Sequence, residues 1–116
     1  MAVNLKSKSI HLPREADDGI RVCVMRRIKE SYDFDIWVPA VAPSNDLLDT
    51  KNSGEINWTE FVPRFEKEIL SSAEKRPFID MIENLAQNNV VTLLCHEETG
   101  ENCHRDLLIE FIKRHA

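Results

Sequence analysis

The residue order predicts an α/β fold: a two- or three-layer sandwich with a short, mainly parallel sheet and helices packed on it, formed as one domain over residues 1–116. Three observations predict it. Residues 20–25, Ile-Arg-Val-Cys-Val-Met, place β-branched side chains at alternate positions, the period of a strand. Residues 90–95, Val-Val-Thr-Leu-Leu-Cys, are almost continuously apolar, which suits a strand covered on both faces. Between and after these runs, apolar residues recur at helical spacing.

In chain order, residues 8–12, Lys-Ser-Ile-His-Leu, form a candidate first strand ended by Pro13. Asp17-Asp18-Gly19 is a turn signal. In the strand over 20–25, Ile20, Val22 and Val24 share one face, and Arg21, Cys23 and Met25 the other. Arg21 is expected near the strand mouth, because a central arginine would be buried and need a partner. Residues 29–35 are polar and read as a loop. Residues 36–43 are apolar but carry Pro39 and Pro43, so they are expected to be extended or irregular and packed through Trp37. Ser44 suits the N-cap of a short helix through Asp46, Leu47 and Leu48, with a loop over 51–55.

Asn57 and Glu60 have the spacing of a capping box. Trp58, Phe61, Val62, Phe65 and Ile69 then make one apolar helical stripe. Pro63 fits that helix only near its first turn, since an interior proline costs about 3 kcal/mol. The next helix has Pro77 near its start, Phe78, Met81, Ile82 and Leu85 on its buried face, and a stop at Asn88-Asn89. After the strand over 90–95, polar residues 96–102 lead to a final helix that buries Leu107, Leu108, Phe111 and Ile112.

Composition narrows the function. A chain of 116 residues buries roughly two-thirds of its unfolded surface, enough for one core. Fifteen Lys and Arg against twenty Asp and Glu leave a net charge of −5. That disfavours a broad nucleic-acid-binding surface and leaves a local basic cluster of Arg21, Arg26, Arg27 and Lys29, of which Arg27 and Lys29 read as a solvated rim. No apolar run approaches the ~20 residues of a membrane span. The first residues lack the apolar stretch of a signal peptide, and three cysteines are too few for a disulfide framework. These features lead to the expectation of a cytoplasmic protein, and base rates favour a homodimer. Trp58 and Trp37 read as core residues, and His11 and His115 as surface or strand-edge residues.

The chemistry-bearing segment runs Cys95-His96-Glu97-Glu98-Thr99-Gly100-Glu101-Asn102-Cys103-His104-Arg105: a strand end, a loop and a helix start. In open α/β sheets, ligands sit beyond the carboxyl ends of the strands. With Asn102 as cap, Cys103 and His104 fall in the first helical turn, where the helix N-terminus and a nearby cation favour a thiolate. Cys103 or Cys95 is therefore the candidate nucleophile, with His104 or His96 as its base. Arg105, Arg21 and Arg26 are candidate anion-binding residues, joined by Ser44 if its hydroxyl reaches the cleft.

The plain alternative makes Cys95 a buried strand end and Cys103 a filler at the helix cap. Adjacent helical residues point about 100° apart, so Cys103 and His104 do not pair automatically. A phosphatase-type Cys-x5-Arg loop is excluded: nine residues separate Cys95 from Arg105, and Glu97, Glu98 and Glu101 oppose a phosphate. A zinc or iron centre built from one member of each Cys-His pair plus Glu97 has poor ligand spacing, so no metal and no cofactor are assigned. A Cys95–Cys103 disulfide requires the loop to bring the two Cα atoms within about 7 Å.

Several segments occur in a telling order: Asp18-Gly19-Ile20-Arg21-Val22; Ala42-Pro43-Ser44; Trp58 with Phe61, Arg64 and Glu68; and Thr92-Leu93-Leu94-Cys95 through Cys103-His104-Arg105. Their order and spacing resemble the YeaO-like proteins of domain-of-unknown-function family 488, over almost the whole chain. The Cys-His-Arg ending resembles the cysteine-bearing members. The resemblance implies an α/β fold with a short, mainly parallel sheet, and no established activity. That family continues after its arginine strand with Asp-Arg-Leu-Trp-Pro-Arg-Gly. Here the residues are Met25-Arg26-Arg27-Ile28-Lys29-Glu30-Ser31, so only Arg26 matches and Met25 holds the acidic position.

Taken together, these residues lead to a small enzyme that uses a Cys/His/Arg site at strand ends on an anionic, nucleotide-like small molecule. The alternatives are a non-catalytic anion- or metal-binding regulatory module with structural cysteines, and an interaction protein.

Overall fold

The computed structural model describes residues 3–96 and 103–115. Its strands are β1 (Leu5–Ser9), β2 (Ile20–Cys23), β3 (Ile36–Trp37) and β4 (Val91–Cys95). Its helices are α1 (Asn45–Asn52), α2 (Trp58–Ser71), α3 (Lys75–Asn88) and α4 (His104–His115), with 3-10 turns at Ala16–Asp18 and Pro39–Val41. The strands form one sheet in the order β1-β4-β2-β3, and every pair is parallel. The protein has an α/β fold. Among the described residues, no helix is long and apolar enough to cross a membrane.

Register decides what each face carries. Leu5 pairs with Val91 and Val22 with Leu93, so Leu5, Val22, Val24, Val91 and Leu93 share one face. They join one core cluster with Phe61, Phe65 and Ile69 of α2, Ile79, Ile82 and Ala86 of α3, and Leu107, Leu108, Phe111 and Ile112 of α4. Each such large side chain contributes about 1.5–3 kcal/mol by leaving water. The opposite face presents Lys6, Lys8, Arg21 and Thr92, and loops cover it. There Lys8 Nζ lies 3.0 Å from Asp18 and from Glu15, and the Thr92 hydroxyl donates to the Asp18 carbonyl at 2.7 Å. Arg21 Nε donates to the Asp33 carbonyl and Nη2 to the Leu12 carbonyl. The sandwich therefore has two layers, with a helical layer on one side of the sheet and a polar loop layer on the other.

Several expectations are corrected. The first strand lies three residues earlier than residues 8–12, because Leu5 to Ser9 pair in register with Val91 to Cys95. The alternating lysines that hid this strand face the acidic loop. Arg21 is not at a strand mouth. It is central and fully buried, and Asp18 supplies the partner it needs, with Nη1 donating at 2.7 Å. Trp37 is 41% exposed and its ring N–H donates to the Met25 carbonyl, while Val38, Val41 and Ala42 bury that segment. Phe78 is 39% exposed, because the buried stripe of α3 is Ile79, Ile82 and Ala86, one residue later. Pro63 sits at the sixth residue of α2, past the first turn; it removes a bond to the Thr59 carbonyl on an exposed face, where water can replace it.

Other readings stand. Ser44 caps α1 by accepting from Leu47 N, and Asn57 with Glu60 forms the α2 capping box. Trp58 packs against the core and stacks on Phe61 at 5.1 Å between ring centroids. The turn at Asp17-Asp18-Gly19 requires its glycine: φ is +63°, and a Cβ there would lie 2.1 Å from the Val90 carbonyl oxygen. The Asn102 cap and Glu97 fall outside the described residues, as does the His115 side chain.

Candidate active site

The carboxyl ends of β1, β2 and β4 and the start of α4 meet at one place. Cys95 ends β4, Val24 follows β2, Cys103 directly precedes α4, and His104 is its first residue. Cys103 and His104 straddle the helix boundary, so the angular separation expected of two helical neighbours does not apply to them. Both reach the end of β4. His104 Nδ1 lies 3.7 Å from Cys95 Sγ and 3.9 Å from Cys103 Sγ. One ligand atom from each of the three side chains lies within 4.8 Å of the others, and all three residues are buried. Cys95 and Cys103 are not joined in a disulfide, and their sulfurs converge.

The His104 ring is fixed from two sides. Its Nε2 lies 2.8 Å from the Val24 carbonyl oxygen, which can only accept, so Nε2 carries the proton. Phe65 meets the ring edge-on at 6.0 Å between centroids. In the neutral ring the lone pair then belongs to Nδ1, which is 3.9 Å from Cys103 Sγ and only slightly nearer to Cys95 Sγ, at 3.7 Å, than Nε2 is, at 3.9 Å. The hydrogen bond with Cys95 and burial push the Cys103 thiol far up.

The cluster forms part of the wall of a cleft of about 390 Å³ at the carboxyl end of the sheet. Cys95, His96 and His104 line it from one side, Met25, Arg26 and Arg27 from another, and α1 closes it with Asn45, Leu48, Asp49 and Asn52. Ordinary helical spacing puts those α1 residues on one face, opposite the buried Leu47. A smaller hollow of about 290 Å³ beside Gly19, Ile20 and Val90 lies at the amino ends of the strands, and no cysteine or histidine lines it.

The four expected anion-binding residues separate. Arg26 lines the cleft, anchored by Nε to the Pro43 carbonyl at 2.9 Å and by Nη2 to the Ala42 carbonyl. The Ala42 carbonyl also accepts from the buried Lys75 ammonium. Arg21 lies on the other face of the sheet with Asp18. Arg105 is fully buried, and its Nε donates to the Ser7 hydroxyl at 2.6 Å, tying α4 to β1. The Ser44 hydroxyl is engaged by Glu68 and the α1 cap. Cys23 is buried on the loop-covered face, and burial raises its thiol.

Sequence reasoning left three features unseen. One is the α1 wall, signalled by Asn45, Asp49 and Asn52 at helical spacing. The second is the Val24 carbonyl, which side-chain patterns do not reveal. The third is His11, whose Nε2 lies 3.0 Å from His96 Nδ1 and whose ring meets Tyr32 edge-on.

A family model described as DUF488-N3a, "Active DUF488-N3 subclade", matches residues 5–116. The chain belongs to the DUF488-N3a family. Comparison with curated proteins and with solved structures gave no match. In this DUF488-N3a member, Met25, which stands where the resemblance expects an acidic residue, faces the cleft beside Arg26.

Proposed function

We propose that this DUF488-N3a protein is a thiol enzyme acting on an anionic small molecule in the cleft at the carboxyl end of its sheet. Cys95 is the nucleophile, His104 its base and Arg26 the anion-binding residue. The observation that carries the reading is the His104 ring, with Nε2–H on Val24 O and Nδ1 toward Cys95 at 3.7 Å. Cys95 Sγ gives its proton to Nδ1 and attacks an electrophilic carbon of the substrate, and the leaving group takes that proton. Water then gives a proton to Nδ1 and adds to the same carbon, the carbon–sulfur bond breaks, and the departing Cys95 sulfur takes the proton back from Nδ1. Cys103 keeps its proton and donates toward the Cys95 sulfur, which steadies negative charge there. The family's description as an active subclade supports an enzyme.

In this reading Arg21, Arg105 and Ser44 are positioning residues, since each is spent on a structural partner. The experiment is alkylation of the folded, reduced and chelator-treated chain by iodoacetamide with peptide mapping, alone and with inorganic phosphate or AMP as anionic probes. Cys95 should label first and be slowed by a probe. Labelling of Cys95 no faster than that of Cys23 counts against the reading.

A further inference from the structure

We infer that Cys95, Cys103 and His104 form a site for a single zinc ion, with its fourth position open to the cleft. The inference uses the side chains of the proposed enzyme site but does not depend on thiol catalysis.

Three observations carry it. The first is distance. Tetrahedral zinc, with Zn–S of about 2.3 Å and Zn–N of about 2.0 Å, places its ligand atoms about 3.5–3.8 Å apart. The two sulfur-to-Nδ1 distances are 3.7 and 3.9 Å and all three ligand atoms lie within 4.8 Å of one another, so the ion is shared once Cys95 Sγ, also 3.9 Å from Nε2, turns toward the Nδ1 lone pair. The second is orientation. A histidine ligand normally donates its other ring N–H to a carbonyl or carboxylate, which fixes the tautomer and strengthens the ligand nitrogen. The His104–Val24 bond does this before any metal arrives. The third is charge. Two thiolates balance a dication, so a buried site of this composition becomes neutral overall and avoids the cost of an unpaired buried charge.

On binding, each thiol releases its proton to solvent, and the zinc gains two sulfur ligands and one nitrogen ligand. Cys95 and His104 both line the cleft, so water or a substrate atom completes the tetrahedron from that side. Three protein ligands and an open position are the pattern of a catalytic rather than a purely structural zinc. An occupied site leaves Cys95 coordinated and silent toward alkylating reagents.

The test is titration of the reduced, chelator-treated full chain with Co²⁺, followed by Zn²⁺. The expected result is one Co²⁺ per chain, with the visible bands of tetrahedral cobalt and a near-ultraviolet thiolate-to-cobalt band, both abolished by Zn²⁺. Cys103→Ser should weaken Zn²⁺ binding at least roughly a hundredfold, whereas Cys23→Ser leaves it unchanged. Native mass spectrometry of the wild type gives a readout independent of any variant: a zinc adduct lacking two protons. A folded wild type that shows no thiolate-to-cobalt band overturns the inference, as does a band that survives Cys103→Ser. Metal binding by a chain whose metal-free Cys95 is inert would sink thiol catalysis and keep the zinc site. Fast Cys95 labelling without a cobalt band would do the reverse.

Discussion

His104 donates its Nε2–H to the Val24 carbonyl at 2.8 Å, and this one bond leaves the ring's lone pair on Nδ1, 3.7 Å from Cys95 Sγ and 3.9 Å from Cys103 Sγ. Val24 extends β2 by donating its backbone N–H to the Leu94 carbonyl, so the sheet itself sets the tautomer. A strand end thus orients a helix-borne imidazole above the last residue of the neighbouring strand. The chemistry proposed for the cleft depends on that arrangement.

Arg26 should make the cleft discriminate by charge. Its guanidinium, held on Ala42 and Pro43, and the exposed Arg27 bring positive charge near Cys95, although Asp49 offsets part of it. Anionic iodoacetate should therefore gain on neutral iodoacetamide at Cys95. Arg26→Met should lower the ratio of the two rates by roughly 3-fold, and added salt should shrink the difference between wild type and variant. An unchanged ratio would remove Arg26 from the anion site.

Acid should weaken the loop-covered face of the sheet through Asp18. Burial alone would raise this carboxyl, but hydrogen bonds from Glu15 N, Lys8 and Arg21 outweigh it and hold it at about 2. The folded value lies below the ordinary 3.8, so the unfolded chain takes up the proton first. The stabilisation is complete above about pH 4 and is lost as pH falls toward about 2. Denaturation midpoints measured across that window should drop more steeply for the wild type than for Asp18→Asn. Equal slopes would contradict the assignment. Arg21→Met removes the closer of two cations from the buried carboxylate, with Lys8 keeping its contact, and should cost about 1.5–3 kcal/mol at neutral pH.

Gly19 and Gly54 make a matched pair. Both have positive φ, +63° and +83°, but a Cβ at Gly19 would meet the Val90 carbonyl at 2.1 Å, and one at Gly54 would meet nothing within 4 Å. Gly54→Ala should cost about 1 kcal/mol of backbone strain. Gly19→Ala should cost at least about 2 kcal/mol more, because β2 must move away from β4. Thermal melts of the two variants check this, and similar losses would refute the close approach.

The fold was legible where one physical signal dominated. The apolar run at residues 90–95 and the stripe from Trp58 to Ile69 announced a covered strand and a core helix: residues 91–95 and Phe61, Phe65 and Ile69 are buried, and Trp58 and Val62 pack partly buried against the core. β1 was obscured because Lys6 and Lys8 satisfy their charges on an acidic loop, a tertiary pairing that local pattern does not encode. Arg21 lies buried in mid-strand for a different, local reason: its partner, Asp18, sits three residues earlier, in the turn just before its own strand. At the site, residue types pointed to the Cys95 and Cys103-His104 segments. They did not reveal that both thiols would share one imidazole, because that depends on where α4 begins and on a main-chain carbonyl of β2's extension.

The most direct measurement is the iodoacetamide rate at Cys95, mapped by peptide, in the reduced, chelator-treated wild type and in His104→Gln treated the same way. Glutamine can keep a donor on the Val24 carbonyl and fill the space, but it supplies no base. The account predicts a folded variant, by circular dichroism, whose Cys95 reacts roughly a hundredfold more slowly while Cys23 is unchanged. Equal Cys95 rates in the two proteins, or a wild-type Cys95 that reacts only on unfolding, would contradict it.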